Sequence, residues 1–281
     1  MIRVMDATGV ELTLARPARR VVSIVPSTTE TLFALGAGEQ VVGVTRFCVR
    51  PPEARRQCRV VGGTKSPRVG TIQELEPELV VANQEENREK DVVALRQFVP
   101  VYVAFPGDVP GALAEIETLG HLVGRSAPAH SLSTELGAAL EGLRRQADEH
   151  PRFRYLYLIW RRPYMAAGPQ TFISAFLREA GGDNVVSVQG NRYPEISVEQ
   201  IRALGPDVVL LSSEPFPFGE EHREDLLEEM GDDGRSRPAC LLVDGQALSW
   251  HGARLKEGIP YLMRLTHHIV HVGASASSPG R

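Results

Sequence analysis

The chain has 281 residues, of which 42% are hydrophobic, and it carries a formal net charge of −4 with a pI near 6.1. A chain of this length can bury one large core or two smaller ones, and length alone favours two. It has no basic stripe with interleaved aromatic residues and no apolar run near the roughly 20 residues of a membrane span. We therefore expect neither nucleic-acid binding nor membrane insertion.

The N-terminus and the cysteines bear on the cellular compartment. Residues 1–17 lack the charged-then-apolar layout of a secretory signal. The chain as written is therefore expected in the cytoplasm, and in the periplasm or at a membrane if a leader is missing from it. Cys48, Cys58 and Cys240 fit neither a disulfide framework nor a zinc module. Buried thiols are favoured, with a Cys48–Cys58 bridge as the alternative.

The first 125 residues have the pattern of an α/β lobe. Residues 1–17 predict two short strands joined by a turn. An apolar strand, Val21–Pro26, leads into a helix capped within Ser27–Thr29, and a strand at Val41–Thr45 completes a βαβ unit. Ligands tend to bind at the carboxyl edge of such a sheet. Further elements are predicted as a helix at Ile72–Leu75, a strand ending at Asn83, a strand at Pro100–Phe105 and a helix at Val109–Val123.

Apolar residues recur at helical spacing from Ser126 to His150, and Pro151 ends the pattern. The helix that this predicts is about 33 Å long. It is either a connector between two lobes or a crossover helix within one sheet. A Leu-x-Pro-acid sequence followed by an apolar strand begins at Leu75 and again at Leu204, so the two halves share an order of elements. This repetition favours the connector.

After the helix the α/β pattern begins again. The predicted elements are strands at Tyr155–Trp160, Val208–Ser212 and Cys240–Asp244, helices at Thr171–Glu179 and Leu255–Leu265, and a loop at Gly245–Gly252. We predict an α/β protein with two Rossmann-like lobes joined by one long helix. The predicted divisions are an N-terminal lobe at 1–125, the connecting helix at 126–150, a C-terminal lobe at 151–273 and a disordered tail at 274–281.

Loops that follow the predicted strands carry many large flat side chains beside a few charged groups. Both tryptophans, Trp160 and Trp250, are among them. This mixture suits a bulky, partly planar ligand with polar groups on its rim. The alternatives are that Trp160 fills the core, that Phe216 packs against its own lobe, and that Glu85 stabilises a first helical turn.

Catalytic motifs are not recognisable: the sequence has no Gly-x-Ser-x-Gly or His-Glu-x-x-His pattern. We therefore expect a protein that is not an enzyme and has no cofactor of its own. Two of the histidines His267, His268 and His271 could share a metal ion if they lay four apart on a helix. Ile269, Val270 and Val272 instead suggest a strand there, which disfavours a metal site.

These residues resemble a known family. The opening from Val22 to Gly36, the repeated Leu-x-Pro-acid strands and the long central helix are similar to the class III substrate-binding proteins of ABC importers for vitamin B12, ferric siderophores and haem. Segments such as Gly62–Lys65 and Asn83–Asn87 look like those of a leaderless, cobalamin-binding subgroup. The resemblance implies a two-lobed receptor that holds its ligand in the cleft between the lobes and performs no covalent chemistry.

The resemblance also implies site residues and partners. Trp160, Tyr164, Tyr193 and Trp250 are expected on the faces of a corrinoid, and the exposed acid Glu199 is expected to dock on an ABC permease. The alternatives are a ferric siderophore or haem as the ligand, or a cytosolic chelatase-like enzyme using His251, Glu85 or Glu214. The full predicted ligand-binding set is Arg46, Lys65, Asn83, Glu85, Trp160, Arg162, Tyr164, Tyr193, Glu214, Phe216, Trp250, His251 and Arg254, with Arg162, Glu85 and Arg254 at the polar rim of the ligand.

Overall fold

The structure, a computed structural model, describes residues 1–187, 190–231 and 237–276. It divides into two compact units. The first comprises Met1–Gly137 together with the short segment His251–Arg254, and the second comprises Ala138–Trp250 together with the chain from Leu255 onward. The domain boundaries predicted from the sequence stay predictions.

The first unit is built on five parallel strands in the order β5-β4-β3-β8-β9, with two antiparallel pairs, β1–β2 and β6–β7. Its strands are β1 (Ile2–Met5), β2 (Glu11–Leu14), β3 (Val21–Ser23), β4 (Val41–Val44), β5 (Arg59–Val60), β6 (Gly62–Gly63), β7 (Ser66–Pro67), β8 (Leu79–Asn83) and β9 (Val101–Ala104). Its helices are α1 (Pro26–Ala34), α2 (Ala54–Gln57), α3 (Val69–Glu74), α4 (Glu89–Leu95) and α5 (Val109–Leu122). Valine dominates the central strands because both faces of this sheet are covered, and β8 is buried along its whole length.

The second unit contains a second, mainly parallel sheet in the order β11-β10-β13-β14, with β12 also paired to β10. Only β11 runs antiparallel to its neighbour. The strands are β10 (Phe153–Trp160), β11 (Met165–Ala166), β12 (Gly182–Asn184), β13 (Val208–Ser212) and β14 (Ala239–Val243). The helices are α7 (Phe172–Glu179), α8 (Val198–Leu204), α9 (Glu220–Met230), α10 (Gly245–Ser249) and α11 (Leu255–Ala276).

The long helix between the two sheets, α6, runs from Ser126 to Asp148 and ends two residues before its predicted end. Its buried residues are Ala129, Leu132, Leu136, Leu140 and Leu143, which lie on one face. The division between the two units falls inside this helix, after Gly137. The predicted α/β fold, with two parallel-sheet lobes and a long helix passing from one to the other, is confirmed.

Two predictions about local structure in and around the carboxyl-edge loops are wrong. Helix α1 begins at Pro26 and its N-cap is Val25, because proline is preorganised for the first helical turn. The hydroxyl of Thr29 donates instead to Ser23 Oγ at 2.8 Å and Val25 O at 2.9 Å. The predicted loop at 245–252 contains the short helix α10, which Asp244 caps by accepting a hydrogen bond from the backbone N–H of Ala247.

The predicted strand around His267–Val272 is also wrong, because α11 continues through this region to Ala276. Its buried residues Ile259, Leu262, Thr266 and Ile269 recur every three or four positions, and this buried face outweighs the local β-branched pattern. The tail predicted to begin at residue 274 is helical as far as Ala276, and the rest of it lies outside the described residues.

The three cysteines are free and buried, so the alternative Cys48–Cys58 bridge does not form in this structure. Within the described part of the chain, no helix is both long enough and apolar enough to cross a membrane.

Candidate ligand-binding site

Four of the predicted ligand residues lie at the carboxyl edge of the first sheet, namely Arg46, Lys65, Asn83 and Glu85. Arg46 follows β4, and its guanidinium lies 4.8 Å from the centre of the Phe47 ring. A Cβ on Gly63 would lie 3.5 Å from Arg46 Cζ, so the backbone of β6 approaches this guanidinium closely. Next to β6, the exposed Lys65 donates from Nζ to the carbonyl oxygen of Glu85 at 2.5 Å. Arg46, Lys65 and Glu85 thereby lie along one edge.

The turn after β8 is held by side-chain amides. Asn83 Oδ1 accepts from the backbone N–H of Glu85 at 2.8 Å, and Asn87 Oδ1 accepts from the backbone N–H of Asn83 at 2.8 Å. Asn87 Nδ2 also donates to the carbonyl oxygen of Thr64 at 2.9 Å. Asn83 is buried and shapes this turn, whereas the side chain of Glu85 is partly exposed beside it.

A buried polar group lies where α1, α5 and the segment 251–254 meet. His251 Nε2 lies 3.4 Å from the Ser27 hydroxyl oxygen, and His251 Nδ1 lies 3.3 Å from Glu115 Oε2. Burial raises the pKa of Glu115 to about 8 and lowers the pKa of His251 to about 4. Burial therefore favours the uncharged form of both groups near neutral pH, and Oε2 of Glu115 has no hydrogen-bond partner among the residues that the structure describes.

Glu115 was not singled out from the sequence. It lies within α5 among the buried residues Ala112, Ile116 and Leu119. A carboxylate on the apolar face of an amphipathic helix is a detectable signal, because an unpaired charge is costly to bury.

The segment that follows His251 is bound tightly to α1. The Arg254 guanidinium forms a bidentate ion pair with Glu30, with Nε–Oε2 and Nη2–Oε1 distances of 3.0 and 2.5 Å. The backbone N–H of Ala253 donates to Thr31 Oγ1 at 3.0 Å. Arg254 is only 2% exposed, and in this structure its guanidinium is ion-paired with Glu30. Its contact with a ligand stays a prediction.

In the second unit, the two tryptophans differ in exposure. Trp160, at the end of β10, is 40% exposed, and its ring meets the Phe216 ring edge-on with centroids 5.7 Å apart. Trp250 is 8% exposed, and its Nε1 donates to Glu214 Oε1 at 2.6 Å. Burial raises the pKa of Glu214. The structure thus pairs four of the predicted residues as Trp160 with Phe216 and Trp250 with Glu214.

The remaining predicted residues lie on loops of the second unit. Arg162 is exposed and has a left-handed backbone with φ of 62°. Tyr164 is buried, and its hydroxyl donates to Glu229 Oε2 at 3.2 Å. Tyr193 is partly exposed, and its backbone N–H donates to Asn191 Oδ1 at 3.0 Å.

The predicted docking acid, Glu199, is exposed in the first turn of α8. This helix begins with a capping box in which Ser197 and Gln200 exchange hydrogen bonds. The nearby Ser197 hydroxyl lowers the pKa of Glu199. The acid is therefore presented to solvent in its charged form over the physiological pH range.

Two α/β units with a long helix passing between them define the class of two-lobed solute-binding proteins. Residues 21–233 match the family model described as periplasmic binding protein, and the chain belongs to this family. The family resemblance seen in the sequence is thereby confirmed.

Relatives of known name include the vitamin B12-binding protein of Vibrio campbellii, which is 26% identical over 197 residues that cover 70% of this chain and 71% of the relative. The cobalamin-binding protein of Halobacterium salinarum is 30% identical over 210 residues, which cover 73% of this chain and 57% of the relative. Both names describe binding proteins, and cobalamin is the ligand they name.

Among solved structures, the periplasmic vitamin B12 binding protein BtuF of Vibrio cholerae superposes with a TM-score of 0.76 at 21% identity, covering 90% of this chain and 98% of that one. The periplasmic heme-binding protein BhuT, in complex with two hemes, gives a TM-score of 0.76 at 23% identity, covering 89% and 98%. At these identities the likeness concerns the fold alone.

Proposed function

We propose that this chain binds a corrinoid of the vitamin B12 type, as a binding protein rather than an enzyme. The observation that carries the proposal is that relatives from two different genera, each matching over about 70% of the chain, are named for binding vitamin B12 or cobalamin. The corrinoid is the cargo of the protein, and the partner we propose is the permease of an ABC-type uptake system, with Glu199 as a docking residue.

The surface of the second unit supports a large planar ligand. Trp160 is 40% exposed, and its ring packs against the Phe216 ring in a T-shaped arrangement. Tryptophan is enriched at binding interfaces, and a ring supported by a neighbour loses little freedom when a ligand stacks on it. We propose that Trp160 packs on a face of the corrin ring and that Arg162, two residues further on, meets its polar rim.

The test is a titration of the purified chain with cyanocobalamin. Binding is measured by calorimetry and by tryptophan emission corrected for ligand absorbance. We expect saturable binding with a Kd of about 1 μM or lower. Trp160→Ala should weaken binding by about 2 kcal/mol, or about thirty-fold in Kd, as expected for a central aromatic contact. Trp160→Phe should recover much of the loss because it keeps a flat ring.

The matched control is Val93→Ala. Val93 is an exposed apolar residue on α4 of the first unit and is 50% exposed. This variant should bind like the unmodified chain. Haem and a ferric hydroxamate are titrated in parallel. Tight binding of either one without corrinoid binding would replace the proposed ligand, and equal losses in Trp160→Ala and Val93→Ala would remove Trp160 from the site.

A further inference from the structure

Two further rings pack against the pair formed by Trp160 and Phe216. His222 lies in the first turn of α9, and its imidazole meets the Phe216 ring edge-on with centroids 5.0 Å apart. Phe218 contacts both of these rings, with centroids 4.8 Å from Phe216 and 6.0 Å from His222. All four rings belong to the second unit. Phe216 therefore contacts three other rings, and among these only Trp160 is exposed.

Backbone hydrogen bonds hold the loop that carries Phe216 and Phe218. Phe218 is 7% exposed and packs in the hydrophobic core of the second unit. Its backbone N–H donates to the carbonyl oxygen of Ser212, the last residue of β13, at 3.2 Å. The backbone N–H of Phe216 donates to the carbonyl oxygen of Ile159 at 3.2 Å, and Ile159 precedes Trp160 on β10. The loop is thereby tied to two neighbouring strands.

A hydrogen bond sets the orientation of the His222 ring. The backbone N–H of Gly219, the N-cap of α9, donates to His222 Nδ1 at 3.0 Å. A backbone N–H can only donate, so Nδ1 carries the lone pair and the proton of the neutral ring is on Nε2. Nε2 lies 3.6 Å from Glu221 Oε1, and the His222 side chain is only 16% exposed. The ring that contacts Phe216 is thus held in one orientation.

The residue type at position 222 indicates a role beyond capping the helix. The third helical position of a capping box is usually Glu or Gln, whose side chain accepts from the N-cap backbone N–H. His222 makes the same hydrogen bond and adds a flat ring that packs against Phe216. Capping alone does not need a ring. The ring contact therefore points to the aromatic group that ends at the exposed Trp160.

We propose that His222 is a positioning residue of the corrinoid site: it holds the Phe216 ring, which in turn orders the Trp160 ring that packs on the ligand. This inference rests on the proposed function for the identity of the ligand, whereas the order of the Trp160 ring is measurable without any ligand. A ring that is already ordered loses less conformational entropy when it binds. The affinity for a planar ligand should therefore depend on His222, although another ring makes the contact.

Two variants separate the ring of His222 from the helix cap. His222→Phe keeps a flat ring but has no acceptor for the Gly219 N–H, and His222→Asn keeps an acceptor oxygen but has no ring. Loss of one aromatic pair should weaken cyanocobalamin binding by about two- to tenfold in His222→Ala and His222→Asn, and His222→Phe should recover most of this loss. The cap predicts the opposite order for stability in urea, with His222→Asn closer to the unmodified chain than His222→Phe.

The order of the Trp160 ring is measured directly in a Trp250→Phe background, in which Trp160 is the only tryptophan of the chain. Without ligand, His222→Ala and His222→Asn should lower the time-resolved anisotropy of its emission, because a less supported ring moves more on the nanosecond timescale. His222→Phe should leave the anisotropy unchanged. The matched control is His268→Ala on α11, an exposed histidine that should change neither the anisotropy nor the cyanocobalamin Kd.

A double variant tests whether His222 acts through Trp160. In a Trp160→Ala background, His222→Ala should cause no further loss of affinity, because the ring that it orders is gone. Additive losses would overturn the proposal, and so would an unchanged anisotropy or an unchanged Kd in His222→Ala. If the unmodified chain does not bind cyanocobalamin, the proposed function fails, and the anisotropy by itself then decides whether His222 orders Trp160.

Discussion

Gly252 lies in the segment 251–254, at a point where the chain passes very close to α1. Its φ is +76°, a left-handed conformation, and a Cβ added there would lie 2.2 Å from Thr31 Oγ1. That oxygen accepts from the backbone N–H of Ala253 at 3.0 Å and donates to the carbonyl oxygen of Ser27 at 2.9 Å. Gly252→Ala therefore strains the backbone and displaces a hydroxyl that makes two buried hydrogen bonds.

The size of the effect follows from these two terms. Left-handed backbone costs an L-residue about 1–2 kcal/mol. Loss of a buried hydrogen bond that leaves its donor unsatisfied costs about 1–3 kcal/mol. We expect Gly252→Ala to lower the free energy of unfolding by about 2–5 kcal/mol, as measured by urea denaturation monitored by circular dichroism.

Two further variants test this reasoning. Gly137→Ala lies in α6, where a new Cβ meets nothing within 4 Å, and it should stabilise the chain by about 0.5–1 kcal/mol. Thr31→Ala removes the clashing oxygen, so adding Gly252→Ala to it should cost only the backbone term of about 1–2 kcal/mol. A loss below about 0.5 kcal/mol for Gly252→Ala alone, or equal effects in both backgrounds, would refute the reasoning.

Two other predictions concern charge. Because the folded-state pKa of Glu115 is raised to about 8, the folded chain holds a proton that the unfolded chain releases, so stability falls as pH rises toward 8. The lowered pKa of His251, about 4, acts oppositely only below about pH 6.5, so the loss between pH 6.5 and 8 is assigned to Glu115. Glu115→Gln should therefore show a smaller loss in urea denaturation across this window, and identical pH slopes in the two proteins would contradict a neutral Glu115. Glu199→Ala should leave the cyanocobalamin Kd unchanged in calorimetry, because Glu199 is proposed to meet a permease, and a weakened Kd would place it in the ligand site.

The buried group of Ser27, Glu115 and His251 lies wholly within the first unit. It joins α1, which carries Ser27, and α5, which carries Glu115, to the segment 251–254. Together with the ion pair between Arg254 and Glu30, it fixes residues 251–254 on α1. Two residues predicted to bind ligand, His251 and Arg254, thus hold the segment to α1, which local sequence pattern could not indicate.

The exposed and buried tryptophans show how far the candidate site could be predicted. Sequence placed Trp160 and Trp250 alike, each at a loop beside charged residues. Exposure depends on what covers a side chain, and the Nε1 of Trp250 is bound by Glu214, which lies 36 residues away in sequence. A hydrogen-bond partner so distant in sequence cannot be predicted from the residues that flank Trp250.

The sequence by itself determined the α/β class, the order of most strands and helices, the long helix from Ser126 and the family. These depend on hydrophobic periodicity and short motifs, which act over a few residues. Only the tertiary structure decided that α11 continues past Leu265, because the buried face it presents outweighs a local strand preference. It likewise decided the pairing of His251 with Glu115. That contact joins residues more than 100 positions apart, and packing brings them together.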